Sequence, residues 1–343
     1  MALIYNATFD KNTRKLSFED RAGNEIYSFI VPEREKDDLT KPLTFRATQD
    51  GSTVALSKRG NIYSRFQTSR DGGNTWTDYT LDTAITLNTG DEVSFRVETY
   101  SKPSYDRFHY FKMTGKIEAW HNVMSITQRG GSAMQEPMGG YEFKFLFSDC
   151  RSLTKAPALP ATRLAKSCYY YMFSGCQSLT KAPELPATAL NSHCCSYMFK
   201  NCTSLTEAPA LPATKLINRC YYYMFQGCQS LTKAPELPAT KLDVNCYYYM
   251  FQGCQSLTKA PELPATTLDV SCYCGMFEGC QSLKEVRVSA TKTARYALDD
   301  WLSGVSATGD FYCDANATIF PTDSVSGIPA NWTRHNIADY PTT

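Results

Sequence analysis

The chain has 343 residues, with 35 Lys and Arg against 34 Asp and Glu, and it carries 22 Tyr, 18 Phe and 14 Cys. That length is enough for two or three domains, and the aromatic content excludes a disordered chain. The balanced charge excludes electrostatic capture by nucleic acid or by an anionic membrane as the governing interaction.

Residues 1–40 read as three short strands, Leu3 to Phe9, Lys15 to Phe18 and Ile26 to Val31, separated by polar turns at 10–12 and 20–24. The opening residues lack a basic stretch followed by an apolar run, so no signal peptide is expected and synthesis in a cytosol is. No window is long and apolar enough to insert in a membrane as a helix. The charged run Pro32 to Asp38 ends this β-rich segment.

Residues 41–128 alternate apolar and polar positions, as in Thr53-Val-Ala-Leu56 and Glu92-Val-Ser-Phe-Arg-Val-Glu98, which predicts a small β-sandwich. Within it, Ser69-Arg-Asp-Gly-Gly-Asn-Thr-Trp76 matches the Asp-box pattern that sialidases carry in several copies. The Asp box stabilises a hairpin turn and is not itself catalytic. Glycoside hydrolysis needs two carboxylates placed across a sugar, and no such pair can be nominated. The turn is the favoured reading, and a glycosidase accessory protein is the weakest functional alternative.

Residues 129–149 are expected to be a linker and N-terminal cap, and residues 150–283 form a tandem repeat. Leu153, Leu179, Leu205, Leu231, Leu257 and Leu283 are each 26 apart, as are Cys150, Cys176, Cys202, Cys228, Cys254 and Cys280. Five full units end at residue 279. In Leu179-Thr-Lys-Ala-Pro-Glu-Leu-Pro186 two prolines remove backbone donors, which predicts an extended segment. In Cys168-Tyr-Tyr-Tyr-Met-Phe-Ser-Gly-Cys176 the apolar residues fall at i, i+4, i+5 and i+8, which predicts a short helix. One such unit cannot bury its own apolar face, so neighbours stack into a solenoid. The last unit drops the prolines at Leu283-Lys-Glu-Val-Arg-Val288. A helix from Thr293 to Leu302 and a strand from Gly309 to Cys313 are expected in a C-terminal cap, 284–343. The fold class predicted is α+β: an all-β, sandwich-like N-terminal part, then a solenoid of about five 26-residue units with its cap.

The pattern Leu-x-x-Ala-Pro-x-Leu-Pro followed by Met-Phe-x-x-Cys-x-Ser-Leu resembles BspA-like leucine-rich repeats. The Ala-Pro-Glu-Leu-Pro-Ala-Thr variety is similar to that of gut Bacteroidetes (Bacteroides and its relatives) and of their phages and prophages. Ser326-Gly-Ile-Pro-Ala-Asn-Trp332 looks like the closing segment of such proteins. One departure, Ala-Pro-Glu in place of an aliphatic strand centre, implies an irregular sheet. The resemblance implies adhesion or recognition. The expected role is a bacteriophage tail fibre or other virion appendage that binds a host-surface receptor, glycan or protein. Its N-terminal region would join other virion tail proteins, with a homotrimer as one assembly. An exported bacterial cell-surface adhesin is the alternative.

The cysteines fall in two columns and are expected to be buried thiols, with disulfides as runner-up and metal binding behind. No cofactor, metal or catalytic residue is predicted. On a helical projection Tyr169 is buried, whereas Tyr170 and Tyr171 face out. Stacking repeats this at Tyr197, Tyr222, Tyr223, Tyr248 and Tyr249, with Ser196 standing in the Tyr170 column. A row of amphipathic rings suits sugar faces or a protein partner, although ladder packing alone also explains it. The units diverge in their turns, at Ala165-Lys-Ser167, Asn191-Ser-His193, Ile217-Asn-Arg219, Asp243-Val-Asn245 and Asp269-Val-Ser271. Specificity is usually placed in such loops, so His193, Arg219 and Asn245 join the tyrosines as candidate ligand-binding residues.

Overall fold

The computed structural model describes residues 6–10, 15–19 and 25–30 as backbone, and residues 37–127, 139–322 and 326–340 in full. The charged run at 32–36 and the linker at 129–138 lie outside the described residues. The chain divides into two compact units, Met1–Asp37 and Asp38–Thr343.

In the first unit β1 (Asn6–Asp10), β2 (Lys15–Glu19) and β3 (Glu25–Ile30) form an antiparallel meander in sequence order. Leu16 stands opposite both Phe9 and Phe29.

The second unit opens with two facing sheets. Strands β4 (Leu43–Ala47), β9 (Glu92–Thr99), β6 (Arg65–Ser69), β7 (Thr77–Tyr79) and β11 (Ile117–Trp120) belong to one. Strands β5 (Ser52–Arg59), β8 (Ile85–Leu87) and β10 (Phe108–Thr114) form the other. Phe45 and Phe95 of the first meet Phe111 of the second edge-on, with ring centroids at 4.7 and 5.3 Å. The Asp box is the β6–β7 hairpin turn. Asp71 Oδ1 accepts from Ser69 Oγ and from Thr75 N at 2.6 and 2.9 Å, and Oδ2 accepts from Thr75 Oγ1. Those bonds hold its carboxyl well below the usual range. Asp71→Ala is therefore expected to lower the melting temperature of the second unit at pH 7. The depressed group stabilises above its unfolded pKa near 4 and ceases to do so as pH falls below it. The difference between mutant and parent should thus shrink at acid pH, which thermal melts at two pH values check.

The same sandwich starts the solenoid. Strand β11 pairs in parallel with β12 (Leu153–Lys155) of the first repeat, Phe111 N donates to Leu146 O at 2.7 Å, and the Phe111 ring stacks on Phe147. Residues 141–150 are themselves a degenerate coil. Phe143, Lys144, Phe145 and Phe147 stand 26 residues before Tyr169, Tyr170, Tyr171 and Phe173.

The expected α+β class is not what the chain adopts. The described residues contain no α-helix, only 3-10 turns at Val123–Ile126 and Ile337–Asp339. The apolar spacing over Cys168–Cys176 is produced by consecutive turns instead. Backbone φ is positive at Ser167, Tyr169 and Tyr171, and again at His193, Cys195 and Tyr197. Alternate N–H groups have alternate destinations. Met172 and Ser174 donate three residues back, to Tyr169 O and Tyr171 O. Tyr171 and Phe173 donate to Ser196 O and Met198 O of the next coil, at 3.0 and 2.9 Å. Positive φ is costly for a tyrosine, and the cross-coil bonds offset that cost. The helix expected from Thr293 to Leu302 is likewise a set of turns, with positive φ at Tyr296 and Asp300.

The extended half of each unit meets its neighbours only through isolated parallel bridges, such as Lys181 to Glu207 and Glu207 to Lys233. Prolines deny the donors for a continuous ladder. Lys181 and Glu207 also pair at 3.0 Å, an exposed ion pair worth little. Where the prolines end, regular strands return. Strands β13 (Glu285–Arg287), β14 (Gly309–Cys313) and β15 (Trp332–Asn336) make a parallel sheet. Trp301 closes the core there, stacked between Tyr273 and Phe320 with its indole N–H on Gly327 O.

Columns of like side chains fill the solenoid, among them Leu, Met, Phe and Cys. Phe147, Phe173, Phe199, Phe225, Phe251 and Phe277 stack at 5.3–5.6 Å, within a few degrees of parallel. All 14 cysteines are free and buried. Cys150 Sγ donates to Phe111 O of β10, and the later thiols of the two columns donate to carbonyls 29 residues earlier, as Cys254 Sγ does to Phe225 O at 3.2 Å and Cys220 Sγ to Asn191 O at 3.3 Å. Cysteine is thus a small core residue that also supplies a weak donor.

Candidate functional site

The outward tyrosines are half-buried rather than fully exposed. Tyr171, Tyr197, Tyr223 and Tyr249 stack face to face at 4.2–5.1 Å, with Phe145 below Tyr171. Gly275, at φ +57°, ends that ladder, and a Cβ there would strike the Tyr249 ring. The neighbouring column is broken. It runs Lys144, Tyr170, Ser196, Tyr222, Tyr248, Cys274. Tyr222 and Tyr248 stack at 4.8 Å, so the opposite face of Tyr222 looks towards Ser196, where the ring is missing. Ser196 is itself buried, its hydroxyl donating to Arg219 O at 2.8 Å.

A cavity of about 370 Å³ opens at this gap. Tyr170 and Tyr222 stand on either side, and Tyr197 packs edge-on to both, at 5.8 and 5.4 Å. Tyr105 and Tyr141 extend the wall. Three cations line it: Lys144, Lys166 and Arg219. Lys144 Nζ donates to Tyr105 O at 2.6 Å and lies 4.1 Å from the Tyr105 ring centre and 5.5 Å from that of Tyr170. Burial, then the nearby Arg59, lower its pKa. Arg219 Nη1 donates to His193 Nε2 at 3.2 Å, which leaves the proton on Nδ1, an atom with no hydrogen-bond partner. Burial, followed by the Arg219 and Lys166 charges, holds His193 below its usual pKa. The imidazole is therefore neutral at pH 7. Burial and the surrounding rings push the Tyr170 phenol up to about 12, so it remains a neutral donor and acceptor. Among the described residues lining the cavity none is acidic.

Of the ten candidate residues, Tyr170, Tyr197, Tyr222, His193 and Arg219 line this cavity. Tyr171, Tyr223, Tyr248 and Tyr249 belong to the flanking stacks. Asn245 lies in a turn farther along, its N–H bonded to Val270 O. Sequence reasoning passed over Lys144, Tyr105 and Tyr141, and treated Lys166 and Ser196 only as members of a variable turn and a column. The break Tyr170–Ser196–Tyr222 was the signal available. Among the described residues no group of three or more His, Cys, Asp or Glu is placed to hold a metal ion, and no helix is long and apolar enough to cross a membrane.

Residues 143–258 match the BspA type leucine rich repeat region, in six copies. The match begins in the degenerate coil that carries Lys144. No curated protein and no solved structure is detectably similar to the chain. The matched repeat is a non-catalytic, binding-type domain, consistent with a cell-surface adhesin-type or other binding protein.

Proposed function

We propose that this protein recognises a receptor on a bacterial surface, glycan or protein, as part of a virion appendage such as a tail fibre. The repeat array supplies the recognition face. The β-rich segment before residue 40 joins other virion tail proteins, in a fibre built as a homotrimer. The observation that carries the reading is the slot at Ser196, where an otherwise continuous tyrosine face opens between two rings. Support also comes from Met1–Asp37 being a compact unit of its own, as an attachment segment needs to be. A second reading, an exported adhesin displayed on a bacterial cell, is favoured by the repeat type itself.

Labelled full-length protein is expected to bind saturably to some strains in a panel of gut bacteria, with and without capsule. Tyr222→Ala should weaken that binding about tenfold, the usual scale for losing a central aromatic anchor. Absence of saturable binding to any strain would sink the recognition role. Immunogold labelling separates the two locations: decorated particle appendages support the first, decorated cell surfaces the second.

A further inference from the structure

Resting on that reading of the Ser196 slot as a recognition site, we infer that its ligand is an acidic sugar, a pyranose unit bearing a carboxylate. The slot is one ring wide. Tyr222 stacks on Tyr248, and among the described residues its other ring contact with a neighbouring coil's outward column, Tyr197, is edge-on and not stacked. With coils about 5 Å apart, Tyr170 and Tyr222 stand roughly 10 Å apart across the missing ring, room for one six-membered ring in contact with both walls. Amphipathic aromatic walls suit a sugar, whose C–H face is apolar and whose rim is hydroxylated.

The charge selects the kind of sugar. Lys144, Lys166 and Arg219 converge on a cavity in which the described lining holds no carboxylate. Among the described residues no hydrogen bond or ion pair links Arg219 to an acid, its side-chain partner being the neutral imidazole of His193. Arg219 lies beside the Tyr222 ring, at 5.9 Å, and is exposed. A planar guanidinium beside a stacking face is suited to a carboxylate held at the edge of the stacked ring. Elsewhere on the array the exposed Lys181 and Lys259 and the half-buried Arg287 do face acids of neighbouring coils. Within the lining the three cations therefore meet no carboxylate, Asp106 near Lys144 standing outside it.

The test uses the full chain on immobilised glycans ending in glucuronic acid, in N-acetylneuraminic acid, in a sulfated galactose, or in matched neutral glucose and galactose. Carboxylated glycans are expected to bind about tenfold or more tightly than their neutral partners, with the preference falling as salt rises. Arg219→Gln, at an exposed position, is expected to abolish that preference. Ser196→Tyr, which rebuilds the ladder, is expected to abolish binding altogether. Equal binding of acidic and neutral glycans, or selection of the sulfated one alone, would overturn the carboxylate assignment while leaving recognition standing. Unchanged binding by both variants would overturn the location. Binding of cells without binding of any glycan would overturn the sugar, and binding of neither would remove the underlying recognition role as well.

Discussion

Raising the pH is expected to unfold this protein cooperatively, with a midpoint between about pH 9.5 and 10.5 under reducing conditions. Burial pushes the thiols of Cys202 and Cys280 up to about 12, and those of Cys176, Cys228 and Cys254 well above the ordinary value. Cys194, Cys220, Cys246 and Cys272 of the second column shift the same way. The sign follows from which state ionises first. The unfolded chain loses its thiol protons near pH 8.5–9, whereas the native chain keeps them. The stability of the protonated columns is thus complete below that value and is lost as pH climbs toward the folded pKa. Each thiol removes about 1.4 kcal/mol per pH unit in that window, so the columns together match a net stability of about 5–15 kcal/mol within a unit or so. Tyr169, Tyr221, Tyr247 and Tyr273, also raised by burial, add to the effect. Far-UV circular dichroism against pH, with thiolate absorbance followed in parallel, is the measurement. Thiolates appearing at pH 9 with ellipticity unchanged would show that the columns are not buried as described. Replacing Cys202 and Cys228 by Ala is expected to move the midpoint upward, even though it costs stability at neutral pH.

Phe225→Ala is expected to destabilise the array by about 3–5 kcal/mol, the usual cost of emptying a fully buried aromatic site. Phe225 is fully buried between Phe199 and Phe251, so no neighbour can collapse into the space without breaking the register of a whole column. Tyr223→Ala, two residues away on the half-buried ladder, should cost distinctly less, because part of its ring already faces water. Urea denaturation separates the two. Equal losses would mean that the outer ladder is as much a core as the inner one. Since each coil touches only its neighbours, a weak central coil is also expected to broaden the transition.

Much of the architecture was legible because repetition multiplies a weak signal. Leu179, Met172, Phe173 and both cysteine columns are buried, as their periodicity implied, and the Asp-box residues form the turn their spacing implied. The helix was misread for a definite physical reason. Burial of Cys168, Met172, Phe173 and Cys176 on one side fits a helix and a run of alternating-φ turns equally well, since local spacing does not record where backbone donors point. The choice is made by acceptors 25 residues away, such as Ser196 O for Tyr171 N. Periodicity within a unit carries no trace of them. The cavity was half legible for a similar reason. Tyr170, Ser196 and Tyr222 share a column that a sequence can display, but Lys144 stands in it only once residues 141–150 are seen to be a coil. Tyr105 arrives from the loop before β10, through tertiary folding alone.

The ring stacks along the array join each residue to its counterpart one unit on, and the copies are alike outside their turns. A gene of this kind can gain or lose a whole unit by recombination between copies without disturbing either end. Most such events would change only length. Duplication of the one coil that carries Ser196 would change valence, because it would set a second slot beside the first on the same rigid face. Two weak sites at fixed spacing bind a repetitive surface far more tightly than one. In this fold, copy number is a route to avidity that needs no new side chain.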